Sequence, residues 1–331
     1  MLNLKIPLMA WFCLSCLSPI VHGYEVDDSY TVTSAYAKYH KQYPHIRLVD
    51  VQPAGKIRFD RVYANINGRE LHADLFHPTL EQGQQPLATI VMIHGGGWNS
   101  GNKSLFYPLA SAMAQRGYLA VTVEYRLAPE AQYPAGLRDI NAAIVWLKQQ
   151  SVSLNINPDK LVLLGGSSGG HMAALLANSA DEPLFHADKS ITVSTQVKAA
   201  IDIDGVLDVS QGDGLKHEDK NGNANSAMGK WLGGNFAQQT ERWKAVSTAL
   251  RINQTSPPLL FLSSGQMRFA AGHELVFAKL SQLGIAHEMV NFAPAPHSFW
   301  LFHPWFNRVV DKVDQFILEN VVQIQAPIQS Q

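Results

Sequence analysis

"LVLLGGSSGGHMAALLA", Leu161 to Ala177, joins two apolar runs through a glycine-serine turn. It holds Gly-x-Ser-x-Gly in two frames: Gly165-Gly166-Ser167-Ser168-Gly169 centres on Ser167, and Gly166-Ser167-Ser168-Gly169-Gly170 on Ser168. An apolar strand turning sharply into a helix exposes a serine hydroxyl on the turn, and glycines two places either side let strand and helix pass close to it. The helix N-terminus adds partial positive charge where an alkoxide or oxyanion would form. Beyond the turn, Met172, Leu175 and Leu176 read as one inward-facing stripe. Spacing alone leaves both serines open.

Working outward, "LATIVMIHGG", "YLAVTVEYR", "KLVLLGG", "VKAAIDIDG" and "PPLLFLSSG" are short apolar runs, the pattern of strands covered on both faces. "FYPLASAMAQRG" and "GLRDINAAIVWLKQQ" alternate with them at helical spacing. Such alternation predicts a mostly parallel central sheet with helices on both faces. Ahead of it, "KIRFDRVYA" and "ELHADLFHP" alternate apolar and polar residues across Asn67-Gly68, which predicts an antiparallel N-terminal hairpin. Val206 to about Arg251 interrupts the rhythm. Its polar, Gly/Asn-rich start predicts an irregular insertion, followed by a helix at "ERWKAVSTAL". Its place after a central strand puts it at the carboxyl edge, where such sheets bind ligands.

A second motif, "HGGGW" from His94 to Trp98, follows the strand "LATIVMI". Consecutive glycines let backbone N–H groups turn toward a developing oxyanion. The amides of Gly96 and Gly97 are the expected donors, joined by the amide after the nucleophile; His94 is expected to hold the loop.

Together "HGGGW", "VEYRLAPEAQYPAGLRD" and "GGSSGGHMAALLA" resemble the α/β-hydrolase superfamily, specifically its esterases related to hormone-sensitive lipase and to bacterial feruloyl and acetyl polysaccharide esterases. The similarity runs from about Lys56 to Val322, implying the α/β-hydrolase fold over 56–325 after a 24–55 lead-in, with 206–251 as an insertion. The family pattern Gly-x-Ser-x-Gly-Gly-His is anchored by His171. It implies Ser167 as nucleophile and the amide of Ser168 as the third oxyanion donor. The order serine, acid, histidine then points to His297 as the base, in the loop after "HEMVNFA"; His303 competes but immediately precedes Pro304. The acid departs from the pattern. Its usual loop, after "PPLLFLSSG", reads Gln266-Met267-Arg268-Phe269 and holds no carboxylate. Asp204, ending the preceding strand, is the first choice, then Glu274, then Asp208.

Trp98, Phe299, Trp300 and Trp305 are candidates for an aromatic substrate platform, or core anchors. Arg268 is read as either facing an anionic substrate or solvated, and Arg126 as structural. The resemblance implies a serine carboxylesterase working through an acyl-enzyme with no metal or organic cofactor. Its expected substrates are small-molecule or polysaccharide esters: acetyl, feruloyl or pectin methyl. An exopeptidase-like hydrolase and a non-catalytic binding protein of the same fold are the alternatives.

The chain of 331 residues is 46% hydrophobic and 16% charged with formal net charge −1, too balanced to favour nucleic acid or an anionic membrane as main partner. Lys5, the apolar "IPLMAWFCLSCL" and Val21-His22-Gly23 read as a secretory signal peptide, residues 1–23, cleaved after Gly23. The apolar run is too short to span a bilayer, so the processed chain is expected to have no membrane span and to be periplasmic or secreted. Cys13 and Cys16 are the only cysteines, so the processed chain would have neither disulfide nor thiol nucleophile. Oligomeric state is not legible.

Overall fold

The computed structural model describes residues 26–323 apart from 54, 181, 187–189 and 191. The expected signal peptide lies outside the described residues. The main sheet has strands β1 (Ile57–Ile66), β2 (Arg69–Phe76), β3 (Thr89–Ile93), β4 (Leu119–Val123), β5 (Leu161–Gly166), β6 (Ala199–Ile203), β7 (Leu259–Ser263) and β8 (His287–Asn291). Their spatial order is β1-β2-β4-β3-β5-β6-β7-β8. β1 and β2 are antiparallel, as are β2 and β4; every later pairing is parallel. Between β1 and β2, Asn67 and Gly68 both take positive φ, 52° and 91°, the signature of a tight I′ hairpin turn.

The helices are α1 (Val32–Tyr39), α2 (Tyr107–Gln115), α3 (Ala135–Gln149), α4 (Ser168–Ala177), α5 (Gly212–Asp219), α6 (Ala227–Leu232), α7 (Thr240–Ala245), α8 (His273–Gln282) and α9 (Phe306–Ile317), besides shorter turns. Every residue of β3, β4, β5, β6 and β7 is buried, because helices cover both faces. Side chains alternate along a strand, so Val91 and Ile93 of β3 join α3, α4 and α8 in one core, while Ile90 and Met92 join α1, α2 and α9 in the other. In α3, Ile140, Ile144 and Leu147 are fully buried, each contributing about 2 kcal/mol of apolar burial.

Two expectations need correction. The 206–251 segment is not irregular at its start: α5 and α6 form there, ahead of α7. Met228, Trp231 and Leu232 of α6 and Trp243 of α7 are buried in the core, and that burial offsets the weak helix propensity of the Gly/Asn-rich sequence. Nor does α4 carry a single inward stripe. All ten of its residues are buried, because the inserted helices cover the side that would otherwise meet solvent.

The lead-in is tied down at several points. Thr31 and Ser34 cap α1 reciprocally, Ala35 and Tyr39 bury its inner side, and the Gly101 amide donates to the Asp27 carbonyl at 2.9 Å. Arg47 pairs with His303 in a two-stranded ribbon just before α9. The loops after β3, β5, β6, β7 and β8 all leave the carboxyl edge of the sheet, beside the point where strand order reverses at β3. No helix among the described residues is long and apolar enough to cross a membrane.

Candidate active site

Ser167 stands between β5 and α4 with φ 57° and ψ −125°, a conformation costing roughly 1–3 kcal/mol for a non-glycine residue. Flanking bonds hold it: its amide donates to the Ile203 carbonyl at 2.8 Å, and its carbonyl accepts from the His171 amide at 3.0 Å. The turn leaves no room for side chains around it. A Cβ on Gly169 would collide with the carbonyls of Ile93 and His94, and one on Gly95 would lie 3.1 Å from Ser167 Cβ. The second distance also shows how closely the "HGGGW" loop passes the serine.

His297, in the loop after β8, reaches Ser167 Oγ with Nε2 at 2.8 Å and Asp204 Oδ2 with Nδ1 at 2.9 Å. Asp204 is fully buried just beyond β6, with φ 55°, and its Oδ1 accepts the Ser264 amide at 2.7 Å. The carboxylate thus places the imidazole proton on Nδ1, leaving Nε2 to receive a proton from the serine. Asp202, two residues earlier, is also fully buried and accepts the Gly205 amide at 2.7 Å through Oδ1, which braces the turn carrying Asp204. Burial, with Asp204 nearby, pushes the Asp202 carboxyl well above the usual carboxylate range.

The "HGGGW" loop is oriented by its carbonyls. That of Gly96 accepts from the Ser100 amide (3.1 Å), the Ser100 hydroxyl (3.0 Å) and the Asn99 amide (3.3 Å), and that of Gly95 from His94 Nδ1 (2.9 Å). A trans peptide sets N–H opposite C=O, so the amides of Gly97 and Gly96 point away from these partners. Among the described residues, the amides of Gly96, Gly97 and Ser168 make no hydrogen bond, as donors awaiting a ligand would not. Burial holds His94 near pKa 4, hence neutral and able to brace the loop with one N–H. Asn99 Nδ2 donates to the carbonyls of Gly97 and Ala227, joining the loop to α6.

Comparison with known proteins identifies the family: the BD-FAE profile matches residues 73–267, which include the glycine loop, Ser167 and Asp204 and end before His297. The chain belongs to the BD-FAE family. Esterase LipQ of Mycobacterium tuberculosis is 32% identical over 153 residues, 46% of this chain and 36% of that protein. The probable carboxylic ester hydrolase LipM of the same organism is 33% identical over 147 residues, 44% of this chain and 33% of that one. The matches span about a third of the length of these curated relatives. Among solved structures, a propionate-bound thermophilic esterase of Thermogutta terrifontis is 25% identical with TM-score 0.67, covering 83% of this chain and 97% of that one. A truncated carbohydrate esterase from gut microbiota shares the fold at TM-score 0.67, with 15% identity and coverage of 83% and 99%. The sheet described above is that of the α/β-hydrolase fold.

In this BD-FAE chain the other candidates fall away from the serine. Glu274 lies in the first turn of α8 and lines, with Asp208, Asp213 and Asn291, a cavity of about 540 Å³ that neither Ser167 nor His297 borders. Asp208 is taken up by Ser210 and Gln211. His303 is held in the ribbon with Arg47.

The four aromatics form no platform. Trp98 is buried, donates to His171 Nδ1 at 3.2 Å and stacks on Trp231 at 5.3 Å. Phe299 is fully buried against Phe292, Trp300 is buried against Gly166, and Trp305 packs on Tyr43 and His45. Arg268 faces neither solvent alone nor an open site, for it binds Glu218 through two nitrogens at 2.8 and 3.2 Å. Arg126 pairs likewise with fully buried Asp139.

Sequence reasoning missed three contributors. Phe269 stacks face to face on His297, and Tyr30 of the lead-in hydrogen-bonds Ser298 beside it. Trp231 brings the insertion against Trp98. No periodicity or spacing marks any of them, because each meets its partner through tertiary packing alone.

Proposed function

We propose that this chain is an exported serine carboxylesterase acting on acetyl, feruloyl or methyl esters of plant polysaccharide fragments. The observation that carries the ester chemistry is the continuous hydrogen-bonded line from Ser167 through His297 to Asp204, beside amides that make no hydrogen bond among the described residues. Ser167 Oγ gives its proton to His297 Nε2 and attacks the ester carbon, while the carbonyl π pair moves onto oxygen and is received by the amides of Gly96, Gly97 and Ser168. Collapse breaks the bond to the alcohol oxygen, which takes the proton from His297. Water then repeats the sequence on the acyl-enzyme, releasing the carboxylic acid and restoring Ser167.

The names of the mycobacterial relatives support ester hydrolysis, and propionate bound to the Thermogutta esterase supports a short acyl group. The polysaccharide part rests on the family resemblance of the motifs, and export on the leader pattern of residues 1–23. The decisive test is hydrolysis of p-nitrophenyl acetate, acetylated xylan, feruloylated arabinoxylan fragments and methylated pectin, each run beside Ser167→Ala. Turnover that vanishes with Ser167 supports the reading. A parent protein that releases no acid from any of them overturns it.

A further inference from the structure

With the carboxylate supplied from β6, the loop after β7 is free of that duty, yet it lies against the same histidine. Phe269 covers one face of the His297 imidazole, ring centroids 3.4 Å apart and planes within 9°. Trp300 approaches edge-on at 5.7 Å and 89°, while Ser167 and Asp204 take the two ring nitrogens. Phe269 is itself held: the Arg268 guanidinium sits 5.0 Å from its ring centroid and is fixed by both oxygens of Glu218, a buried residue of α5 in the insertion.

We infer that Phe269 is a positioning residue that locks the imidazole plane of His297, and that the Glu218–Arg268 pair sets Phe269 from the insertion. Both bonds of His297 lie in the ring plane, and the terminal torsion of histidine is a broad, soft one. Turning the ring about Cβ–Cγ would break both bonds at once. A flat aromatic face in van der Waals contact resists that turn, because the rotating edge would drive into it. The same face meets the imidazolium formed when the serine proton arrives, a favourable cation–π arrangement. A branched aliphatic side chain fills the space but offers neither a flat face along the ring nor a π face to the imidazolium.

The kinetic half of the test rests on the proposed ester hydrolysis; the spectroscopic half does not. The full chain is compared with Phe269→Ala, Phe269→Leu, Phe269→Tyr and Glu218→Ala for kcat and KM on p-nitrophenyl acetate. The low-field imidazole N–H proton resonance of the His297–Asp204 bond is followed in the same proteins. Phe269→Ala and Phe269→Leu are expected to lose about tenfold to a hundredfold in kcat with KM within about twofold, and to lose the resonance to solvent exchange. Phe269→Tyr recovers most of both, and Glu218→Ala loses about threefold in kcat, less than either. Phe269→Leu matching Phe269→Tyr, or Phe269→Ala keeping kcat within about twofold, overturns the inference. Should Phe269→Ala fail to fold, the Leu–Tyr comparison decides. If the parent hydrolyses no ester, the functional reading falls and the resonance alone judges the clamp: lost in Ala and Leu but kept in Tyr supports it, and unchanged throughout overturns it.

Discussion

Asp204 Oδ2 lies 2.9 Å from His297 Nδ1, although 93 residues separate the two in the chain. The carboxylate arrives from β6, one strand nearer Ser167 than β7, after which the family resemblance implied the acid. That origin keeps the carboxylate buried and doubly bonded, to His297 and to the Ser264 amide. It also leaves the β7 loop to present Phe269.

Substitution of the two adjacent serines separates hydroxyl from amide. Ser167→Ala should lower kcat at least about a thousandfold. Ser168→Ala should stay within about threefold, because the role proposed for that residue uses its backbone N–H. Among the described residues its own hydroxyl is buried without a partner, so Ser168→Ala should be neutral or slightly stabilising. Esterase assay and thermal unfolding of both variants check this.

Asp204→Asn keeps the shape but presents an amide to Nδ1 and removes the charge that stabilises the imidazolium. A loss of about 10²–10⁴ in kcat is expected. Glu274→Gln should remain within about twofold. Equal losses in the two variants would mean that Asp204 is not the acid.

Ser100→Ala removes one of three donors to the Gly96 carbonyl and loosens the peptide carrying the Gly97 amide. One such bond is worth about 1 kcal/mol, so kcat should fall roughly fivefold with KM little changed. A rise in KM at constant kcat would place Ser100 in substrate binding instead.

Two buried histidines lower stability in acid. His94 and His171 both sit near pKa 4, because burial disfavours their charged forms, against 6.5 when unfolded. As pH falls from 6.5 toward 4 the unfolded chain takes up protons that the folded chain refuses. Their contribution is therefore present above pH 6.5 and declines by up to about 1.4 kcal/mol per pH unit for each histidine through that window. Urea unfolding between pH 4.5 and 7.5 should show the slope, and His171→Gln should make it shallower.

Asp202 acts in the opposite sense. Its carboxyl is raised when folded, so its contribution is full below the unfolded value of 3.8 and diminishes as pH rises toward the folded value. Asp202→Asn retains an acceptor for the Gly205 amide and needs no proton. Its stability relative to the parent should grow with pH above about 4. A difference independent of pH would show that Asp202 is not held neutral.

Much of this was legible in one dimension. Asn67-Gly68 announced the hairpin because both residues tolerate the positive φ that the turn demands. The apolar runs announced buried strands because helices on both faces leave no polar alternation. His297 and Asp204 were reachable from chain order and from the strand ends, whereas Glu274 and Asp208 differed from Asp204 by nothing that spacing records. The start of the insertion misled for a related reason: α6 is stabilised by Met228, Trp231 and Leu232 packing on the core, and propensity does not register that burial.

The sequence by itself determined the class of sheet, the strand-turn-helix elbow and the glycines around it, since these depend on local periodicity and on backbone freedom. The family frame around His171 then selected Ser167. Only the tertiary structure decided which carboxylate meets His297, that Trp98, Phe299 and Trp300 are core rather than platform, and that Phe269 lies on the imidazole. Those outcomes turn on distances of about 3 Å between residues brought together by strand order, and linear spacing carries no information at that scale.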